Sequence, residues 1–158
     1  MAVDIVVKAA PAMVLATRTL KGKWPGDRAL QSEFEKVEAW AKSKKRRTGP
    51  WVFREFGMNG PEAEMRWEVG IAVSGAARGG GGVSMKRLPA TKVASVTFDP
   101  DAVSPRLVYH GLMGWLHAMK KEGKHRPNGP YREVYPGNPW RKPSAWSRTQ
   151  VQVPIRGS

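Results

Sequence analysis

The sequence predicts an α+β fold: two pseudo-twofold strand-helix-strand-strand repeats with antiparallel sheets, helices on one side and a cleft between the halves. Three observations carry that expectation. The segment Pro11-Ala-Met-Val-Leu-Ala-Thr-Arg-Thr-Leu20 aligns with Pro89-Ala-Thr-Lys-Val-Ala-Ser-Val-Thr-Phe98 at a constant offset of 78. The same offset relates two apolar stripes at helical spacing: Leu30, Phe34, Val37 and Ala41, then Val108, Leu112, Trp115 and Met119. Each stripe then runs through basic residues to a Gly-Pro pair, Gly49-Pro50 and Gly129-Pro130, where the offset has grown to 80.

The elements follow in order. Ile5 to Val7 and Val83 to Leu88 are short extended runs, each leading into a proline kink and a second strand, because proline is tolerated in strands only at starts, edges or bulges. The first helix opens after Pro25 with Asp27 available as a cap, and the second has Ser104 as N-cap with Pro105 in its first turn. After each Gly-Pro comes an aromatic strand, Trp51 to Phe56 and Tyr131 to Tyr135, then a turn-rich connection and a longer strand, Met65 to Val73 and Thr149 to Ile155. The chain thus reads as a single domain over 1–158, with repeat one at 3–73, a Gly-rich linker at 74–82 and repeat two at 83–155. A repeat with one helix leaves a sheet face uncovered, so the halves are expected to close on each other, and clefts of that kind favour small ligands.

Composition bounds the function. With 41% hydrophobic residues and seven Trp in 158 residues, the chain has the material for a packed core. The absence of cysteine removes disulfides, thiolate nucleophiles and thiolate metal sites, so neither a metal nor a cofactor is expected. No run approaches a membrane span, and no secretory signal opens the chain, so a soluble, cytoplasmic protein is expected. The net charge of +14 suits non-specific contact with nucleic acid or with a topoisomerase, although the densest run, Lys42 to Arg47, also reads as the solvated end of a helix. Asp99 and Asp101 read as a turn before the second helix, and Gly79 to Gly82 lacks the lysine and Ser/Thr of a phosphate-binding loop.

The two repeats differ informatively in the strand after Gly-Pro. Trp51 matches Tyr131, but Phe53 matches Glu133, and alternation puts Tyr131, Glu133 and Tyr135 on one face, as it does Trp51, Phe53 and Glu55. On a concave face, Glu133 is a partly buried acid flanked by tyrosines and suited to a lipophilic cation; on a solvated edge it pairs with Arg132, Arg148 or Arg66. Trp115 and Phe34 read as core. Trp24, Trp67, Trp140 and Trp146 are pocket candidates, and Trp51, Phe53 and Tyr109 complete the aromatic set around Glu133, Tyr131 and Tyr135.

The doubled unit, the phrase Lys86-Arg-Leu-Pro-Ala-Thr-Lys-Val-Ala94, the segment Gly129-Pro-Tyr-Arg-Glu-Val-Tyr-Pro-Gly-Asn-Pro139 and the ending Thr149-Gln-Val-Gln-Val-Pro-Ile155 resemble the GyrI-like, or AraC-type effector-binding, small-molecule-binding domain, built of SHS2 repeats. The resemblance covers roughly residues 3 to 155. It implies a stand-alone, multidrug-type binding domain for hydrophobic aromatic or cationic molecules, with Glu133 at the position of the acid that meets cationic, planar ligands. Gly22-Lys-Trp24 matches a second ligand-facing motif, whose counterpart in the other repeat is replaced by Phe98-Asp-Pro-Asp-Ala102. One branch of the family hydrolyses cyclopropane-bearing genotoxins, so an enzyme using Glu133 as general acid/base is the alternative. No helix-turn-helix precedes residue 3, and sequence-specific DNA binding is not expected.

Overall fold

Both apolar stripes become helices of 17 residues laid on antiparallel strands. The computed structural model describes residues 3–75 and 78–157. In chain order the elements are β1 (Val6–Ala10), β2 (Met13–Lys21), α1 (Asp27–Ser43), β3 (Thr48–Phe56), a 3₁₀ turn (Glu62–Glu64), β4 (Arg66–Val73), β5 (Ser84–Leu88), β6 (Thr91–Phe98), α2 (Pro105–Lys121), β7 (Arg126–Pro127), β8 (Arg132–Tyr135), α3 (Pro143–Ser147) and β9 (Thr149–Arg156).

The chain divides into two compact units, cut at the two kink prolines rather than at the Gly-rich stretch. The central unit is Ala12–Pro89. The terminal unit is the chain up to Pro11 together with the chain from Ala90. Each unit therefore takes its outer strand from the other sequence repeat: β5 pairs β2 with Leu88 opposite Met13, and β1 pairs β6 with Ala10 opposite Thr91, the same pairing displaced by 78. A proline kink without a reversing turn carries the chain onward instead of folding β1 back on β2. The stretch 74–82 is accordingly a connection inside the central unit rather than a tether between compact units, with a Gly80–Val83 bridge in it; Ala76 and Ala77 of that stretch lie outside the described residues.

In the central unit the strand order is β3-β4-β2-β5, all antiparallel, with α1 packed against β2 and β4. Leu30, Phe34, Val37 and Ala41 are its buried stripe, and the Phe34 ring stacks on Trp51 at 5.0 Å. The cap differs from expectation: Gly26 is the N-cap, with φ 92°, and Asp27 is the first helical residue, where its charge complements the N-terminal dipole without a capping hydrogen bond.

In the terminal unit the order is β1-β6-β9-β8, with β7 also pairing β9. Ala94, Val96, Phe98, Val151, Val153 and Ile155 face Val108, Leu112 and Leu116 of α2. Leu116 takes the fully buried place expected of Trp115, which is half-buried and stacks on His125 at 5.6 Å. Four residues from Leu112 keeps Leu116 on the same helical face as Val108, whereas Trp115 lies toward its rim. Ser104 is the N-cap of α2 with Pro105 following, and Asp99 forms the expected turn, its Oδ1 accepting from the Asp101 N–H at 2.9 Å.

Pairing also verifies the equivalence read between repeats. Phe53 lies opposite Val69, itself opposite Arg18; Glu133 lies opposite Val151, itself opposite Val96. Phe53 and Glu133, 80 residues apart, hold corresponding places in their two units.

Candidate functional site

Cross-strand partners project to the same side of a sheet, so register decides which side chains meet. In the central unit, Phe53–Val69–Arg18 and Glu55–Trp67–Leu20 form successive rows. The stacking of Trp51 on Phe34, and the ion pair of Arg18 with Glu33 of α1, mark these rows as the helix-bearing face. Trp51 is only 3% exposed and packs the core, and Phe53 further along the strand is buried as well.

Three rings form a cluster. Trp24 meets Trp67 edge-on at 4.9 Å and Phe53 at 6.2 Å, while Phe53 and Trp67 lie nearly parallel at 6.3 Å. Phe53 and Trp67 are buried beneath; Trp24 is 44% exposed and forms the accessible wall. The loop carrying Trp24 is pinned to β4 at Gly22, whose N–H donates to the Met65 carbonyl at 2.9 Å and whose carbonyl accepts from Trp67 Nε1 at 2.8 Å. Gly22 has φ +93°, a left-handed conformation that favours glycine, which is the physical content of the Gly-Lys-Trp spacing.

Glu55 stands directly across from Trp67. Its carboxyl is half-buried, and desolvation pushes its pKa above the ordinary glutamate value of 4.5. Glu33, by contrast, is buried, which alone would raise its pKa, but hydrogen bonds from Arg18 and Lys36 outweigh that burial and hold it low. Alternation along the strand placed Glu55 on the face of Trp51 and Phe53, but the sequence did not single it out as a site residue. The available signal was its place two residues beyond Phe53; its juxtaposition with Trp67 depends on pairing.

In the terminal unit, Glu133 is half-buried and lies on the α2 side, since its partner Val151 belongs to the core under that helix. Tyr131 shares this face and packs on Tyr109 of α2 at 5.6 Å; desolvation raises its phenol pKa above 10.0. Tyr135 is buried and stacks on Trp146 of α3 at 6.5 Å. Trp140 is exposed in the loop before α3, where its N–H is held by Asn138 Oδ1 at 2.9 Å. The structure thus gathers Trp24, Phe53 and Trp67 into one cluster in the central unit, and joins Tyr131 to Tyr109 beside Glu133 in the terminal one.

Among the described residues, no group of three or more His, Cys, Asp or Glu side chains converges as a metal site would require, and no helix is long and apolar enough to cross a membrane.

These features define a class: an α+β domain of antiparallel sheets with helices on one side and aromatic side chains next to partly buried carboxyls. The chain belongs to the family of GyrI-like small molecule binding domains, whose sequence model matches residues 3–156. Its fold is similar to the C-terminal domain of EcmrR, with a TM-score of 0.75 at 17% identity, covering 100% of both chains. It is also similar to a hydrolase encoded by lin2189 from Listeria innocua, with a TM-score of 0.57 at 14% identity over 98% of this chain and 93% of the other. A third neighbour is SAV2435 bound to tetraphenylphosphonium, with a TM-score of 0.56 at 9% identity over 98% of this chain and 94% of the other. At such identities the likeness is one of fold. No curated protein sequence matches the chain.

Proposed function

We propose that this small-molecule-binding domain is of the multidrug type and takes hydrophobic, planar cations, with aromatic rings contributing π faces and glutamate the counter-charge. The observation that carries the reading is the packed trio Trp24, Phe53 and Trp67 beside the desolvated carboxyl of Glu55. A carboxylate held away from water gains by meeting a weakly hydrated cation, and an exposed indole offers that cation a favourable face. Glu133, half-buried next to Tyr131 in the other unit, is proposed as a ligand-facing acid on the strength of its motif position.

Tetraphenylphosphonium, the ligand bound to SAV2435, probes the charge and the aromatic contacts, since it carries flat phenyl rings around a tetrahedral cationic phosphorus, and a planar dye cation such as ethidium probes the shape. Titration is expected to quench tryptophan fluorescence saturably. Glu55→Gln and Glu133→Gln, made separately, are each expected to weaken binding about tenfold, the scale of one lost charge interaction. Unchanged affinity in both variants refutes the counter-ion reading. Binding is also expected to strengthen as pH rises through the elevated pKa of Glu55, because only the ionised form attracts the cation.

A second reading, hydrolysis with Glu133 as general acid/base, draws support from the fold shared with the Listeria innocua hydrolase, and Glu55, whose carboxyl pKa is pushed by burial above the ordinary glutamate value, is a further candidate for the acid. Multiple turnovers of a cyclopropane-bearing electrophile, followed by mass spectrometry, would establish it; conversion limited to one equivalent would exclude it.

A further inference from the structure

The opposite face of the central sheet carries a different chemistry. There, Lys21 lies opposite Arg66 and Arg66 opposite Phe56; in the next row, Thr19 lies opposite Glu68 and Glu68 opposite Arg54. Thr19, Lys21, Phe56, Arg66, Glu68 and Lys86 line a cavity of about 340 Å³, within the size range of small-ligand sites.

The charges in this cavity do not balance. Glu68 is the carboxylate among its lining residues, and both of its oxygens are occupied: Oε1 accepts from Arg54 Nε at 2.8 Å, and Oε2 is paired with Lys86 Nζ. Lys21 and Arg66 make no salt bridge among the described residues, although they face each other across the ladder. Like charges in that position repel.

We propose that this cavity is an anion site, separate from the aromatic face, that takes a phosphate-bearing small molecule of mononucleotide size. The phosphate bridges Lys21 and Arg66 and accepts from the Thr19 hydroxyl, while the apolar part of the ligand lies against Phe56. Arg54 and Lys86 already stand over that ring, at 5.0 and 5.9 Å from its centroid, and Glu68 holds both in place, leaving Lys21 and Arg66 to meet the anion.

Calorimetric titration with AMP, with inorganic phosphate and with a short single-stranded oligonucleotide tests this, using the wild type, Lys21→Gln, Arg66→Gln and a control pair, Lys44→Gln with Lys45→Gln, in the basic run after α1. AMP is expected to bind one to one and more tightly than phosphate alone. Each cavity variant is expected to lose about tenfold in affinity, while the control is unchanged. AMP should raise the melting temperature of the wild type but not of the cavity variants, which separates loss of the site from loss of the fold. No binding of AMP, or binding that Lys21→Gln and Arg66→Gln leave intact, overturns the proposal. Oligonucleotide binding weakened by the cavity variants without binding of AMP also overturns it, assigning the charge to a nucleic-acid backbone instead.

Discussion

Replacing Glu68 by Gln tests the electrostatics of the central sheet, because the molecule contains its own control. Glu68 is 1% exposed and joins Arg54, whose side chain is 12% exposed, to Lys86, at 43%. In Glu68→Gln, Lys86 can turn into water, so its share of the loss is small. Arg54 cannot, and an uncompensated buried guanidinium is costly even with an amide oxygen left to accept one hydrogen bond. A destabilisation of about 2–3 kcal/mol is expected, below the 3–5 kcal/mol typical of a fully buried broken pair. The terminal unit already has the neutral solution: Gln150 stands in place of Glu68, Val134 in place of Arg54, and Lys8, the counterpart of Lys86, donates to Gln150 Oε1 at 2.9 Å. Adding Arg54→Val to Glu68→Gln copies that arrangement and is expected to recover more than half of the loss. Urea denaturation of the two single variants and the double variant yields the coupling directly. A loss below about 1 kcal/mol in Glu68→Gln, or no recovery in the double variant, would refute the trapped-cation argument.

Two further outcomes follow from the geometry around the aromatic face. Gly22→Ala meets open space at its new Cβ, so its cost is one of backbone conformation at φ +93°, about 1 kcal/mol, and it should shift Trp24 and weaken tetraphenylphosphonium binding; an unchanged urea midpoint would contradict it. Because Arg18 and Lys36 hold Glu33 below its ordinary value, its contribution to stability is complete above the unfolded carboxyl pKa and disappears as pH falls through the lower folded one. Glu33→Gln should therefore flatten the acid loss of stability measured between about pH 6 and pH 3, and parallel profiles would speak against that role.

Much of the fold was legible because helices and repeats are local properties of a chain. The stripe from Leu30 to Ala41 needs only its own spacing to declare α1, and the matched prolines at 11 and 89 reveal the duplication without reference to any partner. Alternation likewise told that Trp51, Phe53 and Glu55 share a face. It did not tell which strand lies alongside. Glu55 against Trp67, and Lys21 against Arg66, are joined by pairing between residues distant in sequence, and neither could be read from one strand.

The sequence by itself determined the two-repeat α+β plan, the helices, the equivalence of Phe53 with Glu133 and a membership that the family match bears out. Tertiary structure alone decided that β1 and β5 exchange units, that Trp51 packs the core while Trp24 faces solvent, and that a basic hollow lies opposite the helix-bearing face. The reason is physical: a helix closes its hydrogen bonds within four residues, whereas a strand leaves its bonding groups open until another strand, at any sequence distance, fixes both partner and register.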